Sequence, residues 1–162
     1  MKILGIDPGT ASMGYGVVDV TSSNRPILKD HGVIITKTEI DMPKRLEVLY
    51  AGLNELAKIH LPDIVVVEKI FFNTNVKTAL SVGQARGISL LVAAHNNIIV
   101  FEYTALQAKR LLAGYGRADK KEMQEAVKKH LGISSIIKPD DANDGVAMAL
   151  CHLKIIEEAN GK

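Results

Sequence analysis

Apolar residues along this chain keep two different rhythms, and the switch between them marks the elements. Ile3-Leu4-Gly5-Ile6-Asp7 reads as a short buried strand ending in a carboxylate, with Pro8-Gly9-Thr10 as turn chemistry behind it. Gly14 to Thr21 reads as a second strand, with Tyr15, Val17 and Val18 as its apolar content, and Asn24-Arg25-Pro26 breaks it. Ile27 to Thr36 reads as a third strand containing Gly32. Three consecutive strands on short connections predict an antiparallel meander.

The rhythm then becomes helical. Asp41 as N-cap and Pro43 in the first turn open a helix carrying Leu46, Leu49, Tyr50, Leu53 and Leu56, and Pro62 ends it. Ile64-Val65-Val66-Val67 is a β-branched run of the kind covered on both faces of a sheet, and it ends in Glu68. A loop at 69–76 leads to a helix from Lys77 to His95, apolar in its second half. Ile98 to Glu102 is a fifth strand, followed by helices at Thr104 to Leu112, Asp119 to His130 and, after Pro139, Asp140 to Glu158. Gly114-Tyr115-Gly116 interrupts the helices, and 113–118 is the segment expected to be most flexible. The order β-β-β-α-β-α-β-α-α-α predicts an α/β fold: a five-stranded mixed sheet, meander plus parallel strands, with helices on both faces.

At 162 residues and 17.6 kDa the chain is expected to form one domain, 1–162, with a core that needs no staples. A hydrophobic share of 47% and a charged share of 23% exclude global disorder, collagen and coiled coil. The one cysteine, Cys151, excludes an intrachain disulfide and reads as a small core residue rather than a nucleophile. No signal peptide precedes the first strand and no apolar run is long enough to cross a bilayer, so a soluble, cytoplasmic protein without membrane contact is expected.

The net charge of +2 conceals an uneven distribution. Residues 1–68 carry 7 basic and 9 acidic side chains, residues 69–130 carry 10 and 4, and residues 131–162 carry 3 and 5. A basic centre between acidic ends fits a polyanion-binding surface built from the middle of the chain.

Four carboxylates stand out within this pattern. Two strands end in Asp7 and Glu68, and if parallel and adjacent they bring both to the carboxyl edge of the sheet, where ligands bind in such folds. Asp141 and Asp144 are three apart on the last helix and share a side. The small neighbours Ala142, Gly145, Ala147 and Ala149 would let that helix approach the sheet, while Asp140 reads as ordinary helix-start capping. Four clustered carboxylates repel one another unless cations neutralise them, and hard oxygen ligands select Mg²⁺, with Mn²⁺ as a substitute. Two such ions would activate water for attack on a phosphodiester. No pair of histidines has metal-ligand spacing, His152 reads as structural, and no Ser-His-Asp pattern supports covalent catalysis.

The chain resembles the RuvC family of Holliday-junction resolvases over nearly its whole length. The carrying motifs are Gly5-Ile6-Asp7-Pro8-Gly9-Thr10 with Gly14-Tyr15-Gly16-Val17, and Val67-Glu68-Lys69-Ile70-Phe71-Phe72. Gly83-Gln84-Ala85-Arg86-Gly87, Phe101-Glu102-Tyr103, and Asp141-Ala142-Asn143-Asp144-Gly145 leading to Ala149-Leu150-Cys151-His152 complete the set. The resemblance implies an RNase H-like fold and a homodimer that cuts four-way junction DNA by paired symmetrical nicks, leaving 5′-phosphate and 3′-hydroxyl ends. It implies Mg²⁺ as cofactor, two ions per site with DNA bound, and a branch-migration motor of the RuvA and RuvB type as partner. Its catalytic and metal-binding acids fall on Asp7, Glu68, Asp141 and Asp144. Gly145 stands where the family pattern leads one to expect alanine, a change expected to loosen the helix start.

Further DNA-binding positions follow by resemblance. Phe71, with Phe72 beside it, matches an aromatic that stacks on a junction base. Lys109 and Lys120 match two lysines that assist at the scissile region, with Lys121 competing for the second role. Arg86 either contacts the DNA backbone or pairs internally. The run Leu90-Leu91-Val92-Ala93-Ala94 exceeds one apolar face, and the two-fold contact is expected on that helix. The Asp-x-Gly-Thr start also occurs in the ATP-binding fold of actin, Hsp70 and sugar kinases, which needs two such domains and exceeds this length. The RNA-acting nucleases of the YqgF type and a non-catalytic DNA-binding module are the remaining alternatives.

Overall fold

A computed structural model of the chain describes residues 1–21, 25–71 and 76–161. Five strands, β1 (Lys2–Asp7), β2 (Ser12–Val20), β3 (Pro26–Ile35), β4 (Ile64–Glu68) and β5 (Ile99–Tyr103), form one mixed sheet in the order β3-β2-β1-β4-β5. The first three pair antiparallel, as the short connections predict, and β1, β4 and β5 run parallel.

The helices are α1 (Met42–His60), α2 (Val76–His95), α3 (Ala105–Ala113), α4 (Lys120–Leu131) and α5 (Asp140–Ala159). Strand alternation sends side chains to two cores. Leu4, Ile6, Val65 and Val67 pack with Leu49 and Leu53 of α1 and with Val92 and Ala93 of α2. Ile3 and Val66 pack on the other face with Val146, Ala149 and Leu150 of α5 and with residues of α3 and α4. The same period of two puts Asp7 and Glu68 on the α5 face. No helix among the described residues is long and apolar enough to cross a membrane.

Three local details differ from expectation. Asp41 holds the N-cap position of α1 with Pro43 in the first turn, but its side chain makes no capping hydrogen bond. Segment 113–118, expected to be the most flexible, has defined contacts at both of its ends. Gly114 closes α3 at φ 89°, its N–H bonded to the Arg110 carbonyl, and Ala118 is buried. Capping boxes at Thr104/Gln107 and Asp119/Glu122 fix the flanking helix starts. Third, Gly145 tightens the structure where it was expected to loosen it. A Cβ on Gly145 would lie 2.7 Å from Tyr15 Cα, so alanine would push α5 off β2.

Candidate active site

The site is assembled by register and by close backbone packing. Parallel pairing of β1 with β4 aligns Ile3 with Ile64 and Ile6 with Val67, so one step further Asp7 stands beside Glu68. Glu68 is close enough for its carboxylate to help raise the Asp7 value. Where β1 and β2 meet α5 they carry glycine, at Gly5, Gly14 and Gly16, rather than a side chain. A Cβ on Gly14 would lie 1.8 Å from the Asp141 carbonyl oxygen, and one on Gly5 would lie 2.1 Å from that of Gly145. Backbone therefore meets backbone, and α5 sits close enough to bring its first turns over the end of β1. Ligand atoms of Asp7, Asp141 and Asp144 lie within 4.8 Å of one another.

The electrostatics record this crowding. Asp7 is pushed up to about 9, by burial first, then by the hydrogen bond and charge of Glu68, then by the charges of Asp144 and Asp141. Asp144 is pushed up to about 6, by burial and by the charges of Glu68 and Asp141. Without a cation the cluster holds a proton at neutral pH. A divalent cation would offset both the burial and the mutual repulsion that raise these values, and the donors are all hard oxygens, so the cluster fits such an ion.

Asp140 stands apart from the four. It is not the N-cap, a position taken by Pro139. Its carboxylate accepts from Gln124 Nε2 at 2.8 Å and Lys138 Nζ at 3.1 Å, and Lys120 Nζ lies 3.6 Å away. The hydrogen bond and charge of Lys138 hold it below the usual carboxylate range.

Two concavities flank the acids. One is lined by Glu68, Asp144, Lys109 and Lys120. Lys121 is exposed and does not line it, so of the two competing lysines Lys120 is the one beside the carboxylates. The other is lined by Asp7, Glu68, Lys69, Phe71 and Leu106. Phe71 is 66% exposed and projects from its rim, whereas Phe72 lies outside the described residues. Arg86 pairs internally: its Nε donates to Glu102 at 2.8 Å and a second guanidinium nitrogen bonds the same oxygen. His152 is buried, shares a hydrogen bond of 2.7 Å with the Tyr103 hydroxyl and lies against Phe101. Burial pushes the Cys151 thiol up to about 12, which leaves it inert.

Sequence reasoning missed the glycines of the meander as part of the site. Their signal was available: Gly14 and Gly16 are two apart, so they occupy one face of β2.

A five-stranded mixed sheet with acids gathered at its carboxyl edge and on the last helix defines a nuclease of the RNase H-like class. The model of the family described as crossover junction endodeoxyribonuclease RuvC matches residues 3–152. The chain is 53% identical to the crossover junction endodeoxyribonuclease RuvC of Rubrobacter xylanophilus over 150 residues, 93% of this chain and 83% of that one. It is 48% identical to the protein of the same description from Desulfitobacterium hafniense over 160 residues, 99% of this chain and 96% of that one. Its backbone matches a structure of Thermus thermophilus RuvC in complex with Holliday junction substrate at a TM-score of 0.92 and 31% identity, covering 98% and 96% of the two chains. The chain belongs to the RuvC family.

Proposed function

We propose that this chain is a Mg²⁺-dependent endonuclease that resolves Holliday junctions, with residues 1–162 acting as a single catalytic domain. The observation that carries the reading is the convergence of Asp7, Asp141 and Asp144 within 4.8 Å, with Glu68 beside Asp7 at the end of the neighbouring parallel strand. Asp7, Glu68, Asp141 and Asp144 hold the cation site. A bound pair of divalent ions would supply an ionised water and neutralise charge on the leaving oxygen. Lys109 and Lys120, on the wall shared with Glu68 and Asp144, attract the scissile phosphate. Exposed Phe71 stacks on an unpaired base at the crossover. Lys121 contributes charge further out, and Arg86 takes no direct part because Glu102 holds its guanidinium.

The products are nicks with 5′-phosphate and 3′-hydroxyl ends, made symmetrically by a homodimer. The exposed stripe Leu80, Gln84, Gly87 and Leu91 of α2 supports the two-fold contact. The protein works in the cytoplasm beside a branch-migration motor of the RuvA and RuvB type.

The test is cleavage of a synthetic mobile four-way junction with Mg²⁺, with the nicks mapped. Paired incisions near the crossover are expected, with Asp7→Asn inactive and Asp141→Asn still binding the junction. Preferential cutting of structured RNA, or full cleavage by Asp7→Asn, would sink the reading.

A further inference from the structure

The turn joining α3 to α4 lies beside the site, and the chemistry proposed above makes no use of it. Tyr115 at its tip is 46% exposed, and its hydroxyl donates to Glu122. The other carboxylate oxygen of Glu122 accepts the Asp119 N–H at 2.7 Å within the capping box of α4. The one polar atom of this side chain is thus tied to the first turn of a helix, and a ring held this way has only its faces left to offer. Gly114 and Gly116 flank it, so neither adjacent residue has a side chain to lay over the ring.

The surroundings point to a polyanion. Gly116 backs onto α3: a Cβ there would lie 2.4 Å from Leu106 Cδ1 and 3.4 Å from Arg110 Nε. Leu106 lines the same groove as Asp7, Glu68 and Phe71, so the turn continues the wall of that groove. Arg110, Arg117 and Lys121 are all exposed. Of the basic residues from Lys109 to Lys121, Lys120 alone has a carboxylate within 4 Å among the described residues. Asp119 and Glu122, the nearest acids in sequence, are engaged in the capping box. An aromatic face beside unpaired cations is the arrangement that binds a nucleotide strand.

We infer that the α3–α4 turn is a second DNA contact, in which Tyr115 stacks on a nucleotide of the strand leaving the acid cluster while Arg117 and Arg110 hold its flanking phosphates. This rests on the junction-nuclease reading above. Pre-ordering of the ring by Glu122 lowers the entropy lost on binding. The turn and Phe71 would grip the substrate at two separate points of one groove.

The chain contains no tryptophan, so Tyr115→Trp creates a unique reporter. The protein is titrated with a synthetic junction in EDTA, with binding followed by anisotropy of labelled DNA and stacking by tryptophan emission. Emission is expected to be quenched in step with binding. Tyr115→Ala is expected to weaken junction affinity roughly tenfold, and Tyr115→Phe to lose much less, because the stacking ring remains and only its tie to Glu122 is gone. Arg117→Gln is expected to lower the slope of log affinity against log salt by about one. Unchanged emission at saturating junction overturns the inference, as does wild-type affinity in both Tyr115→Ala and Arg117→Gln. If the wild-type protein shows no preference for a junction over a linear duplex, the reading beneath it falls too, so the two failures are distinct.

Discussion

Asp7 is the residue on which folding and function pull in opposite directions. In an unfolded chain its carboxyl titrates near 4, whereas in the folded, cation-free protein burial and Glu68 push it up to about 9, and Asp144 rises to about 6. Between those values the folded state binds more protons than the unfolded one. A carboxylate with a raised value contributes stability that is fully present at low pH and is lost as pH climbs through the folded value. Cation-free protein is therefore expected to melt progressively lower from pH 5 to pH 8. A divalent cation substitutes for the proton, so Mg²⁺ or Mn²⁺ should recover more stability at pH 8 than at pH 5. Asp7→Asn keeps the shape and removes the ionisation that, at pH 8, favours the unfolded chain. It is expected to melt higher than wild type in EDTA at pH 8, by about 1 kcal/mol or roughly 2–4 °C for a chain of this size, while losing cleavage. Scanning calorimetry across pH, with and without cation, checks both; a wild-type melting curve flat or rising with pH would contradict the electrostatic account.

The element that turns two strand ends into a site is α5, and its distance from the sheet is set by glycine. With a Cβ on Gly14 only 1.8 Å from the Asp141 carbonyl, Gly14→Ala has nowhere to put its methyl group unless the helix start moves. The expected cost is about 1–3 kcal/mol of stability from overpacking, with a disproportionate loss of cation affinity because Asp141 is carried away from Asp7. Isothermal calorimetry with Mn²⁺ on the folded variant separates the two effects, and wild-type affinity would show that helix position does not control the site. Much of this was legible beforehand. Alternation placed the carboxylates at strand ends, helical spacing put Asp141 and Asp144 on one side, and the small residues of α5 signalled close approach. What stayed hidden depends on contacts between distant segments. Glu102 claims Arg86 only because α2 packs against β5, and Asp140 meets Lys120 and Gln124 only because α4 packs against α5. Gly145 was misjudged for the same reason: its partner is the backbone of Tyr15, 130 residues away in sequence.

At the scale of the molecule, the site occupies one edge of the sheet, while α2 turns an unusual surface to solvent. Ala85, Ser89, Val92 and Ala93 face the core, so the opposite side of the helix presents Leu80, Gln84, Gly87 and Leu91, all exposed. A Cβ added at Gly83 or Gly87 meets nothing within 4 Å, so the single chain has no need of glycine at either position. Glycine inside an exposed helix costs about 1 kcal/mol relative to alanine. That cost without an internal benefit is what a close helix-to-helix approach between two copies would require. Gly87→Arg should therefore leave the monomer fold intact or slightly stabilised while blocking the two-fold contact. Sedimentation is expected to shift from dimer to monomer at micromolar concentration. Junction cleavage, in turn, should change from paired incisions to single nicks, because one copy carries one acid cluster and a junction presents two equivalent strands. A Gly87→Arg protein that remains dimeric and cuts both strands together would place the two-fold contact elsewhere on the surface.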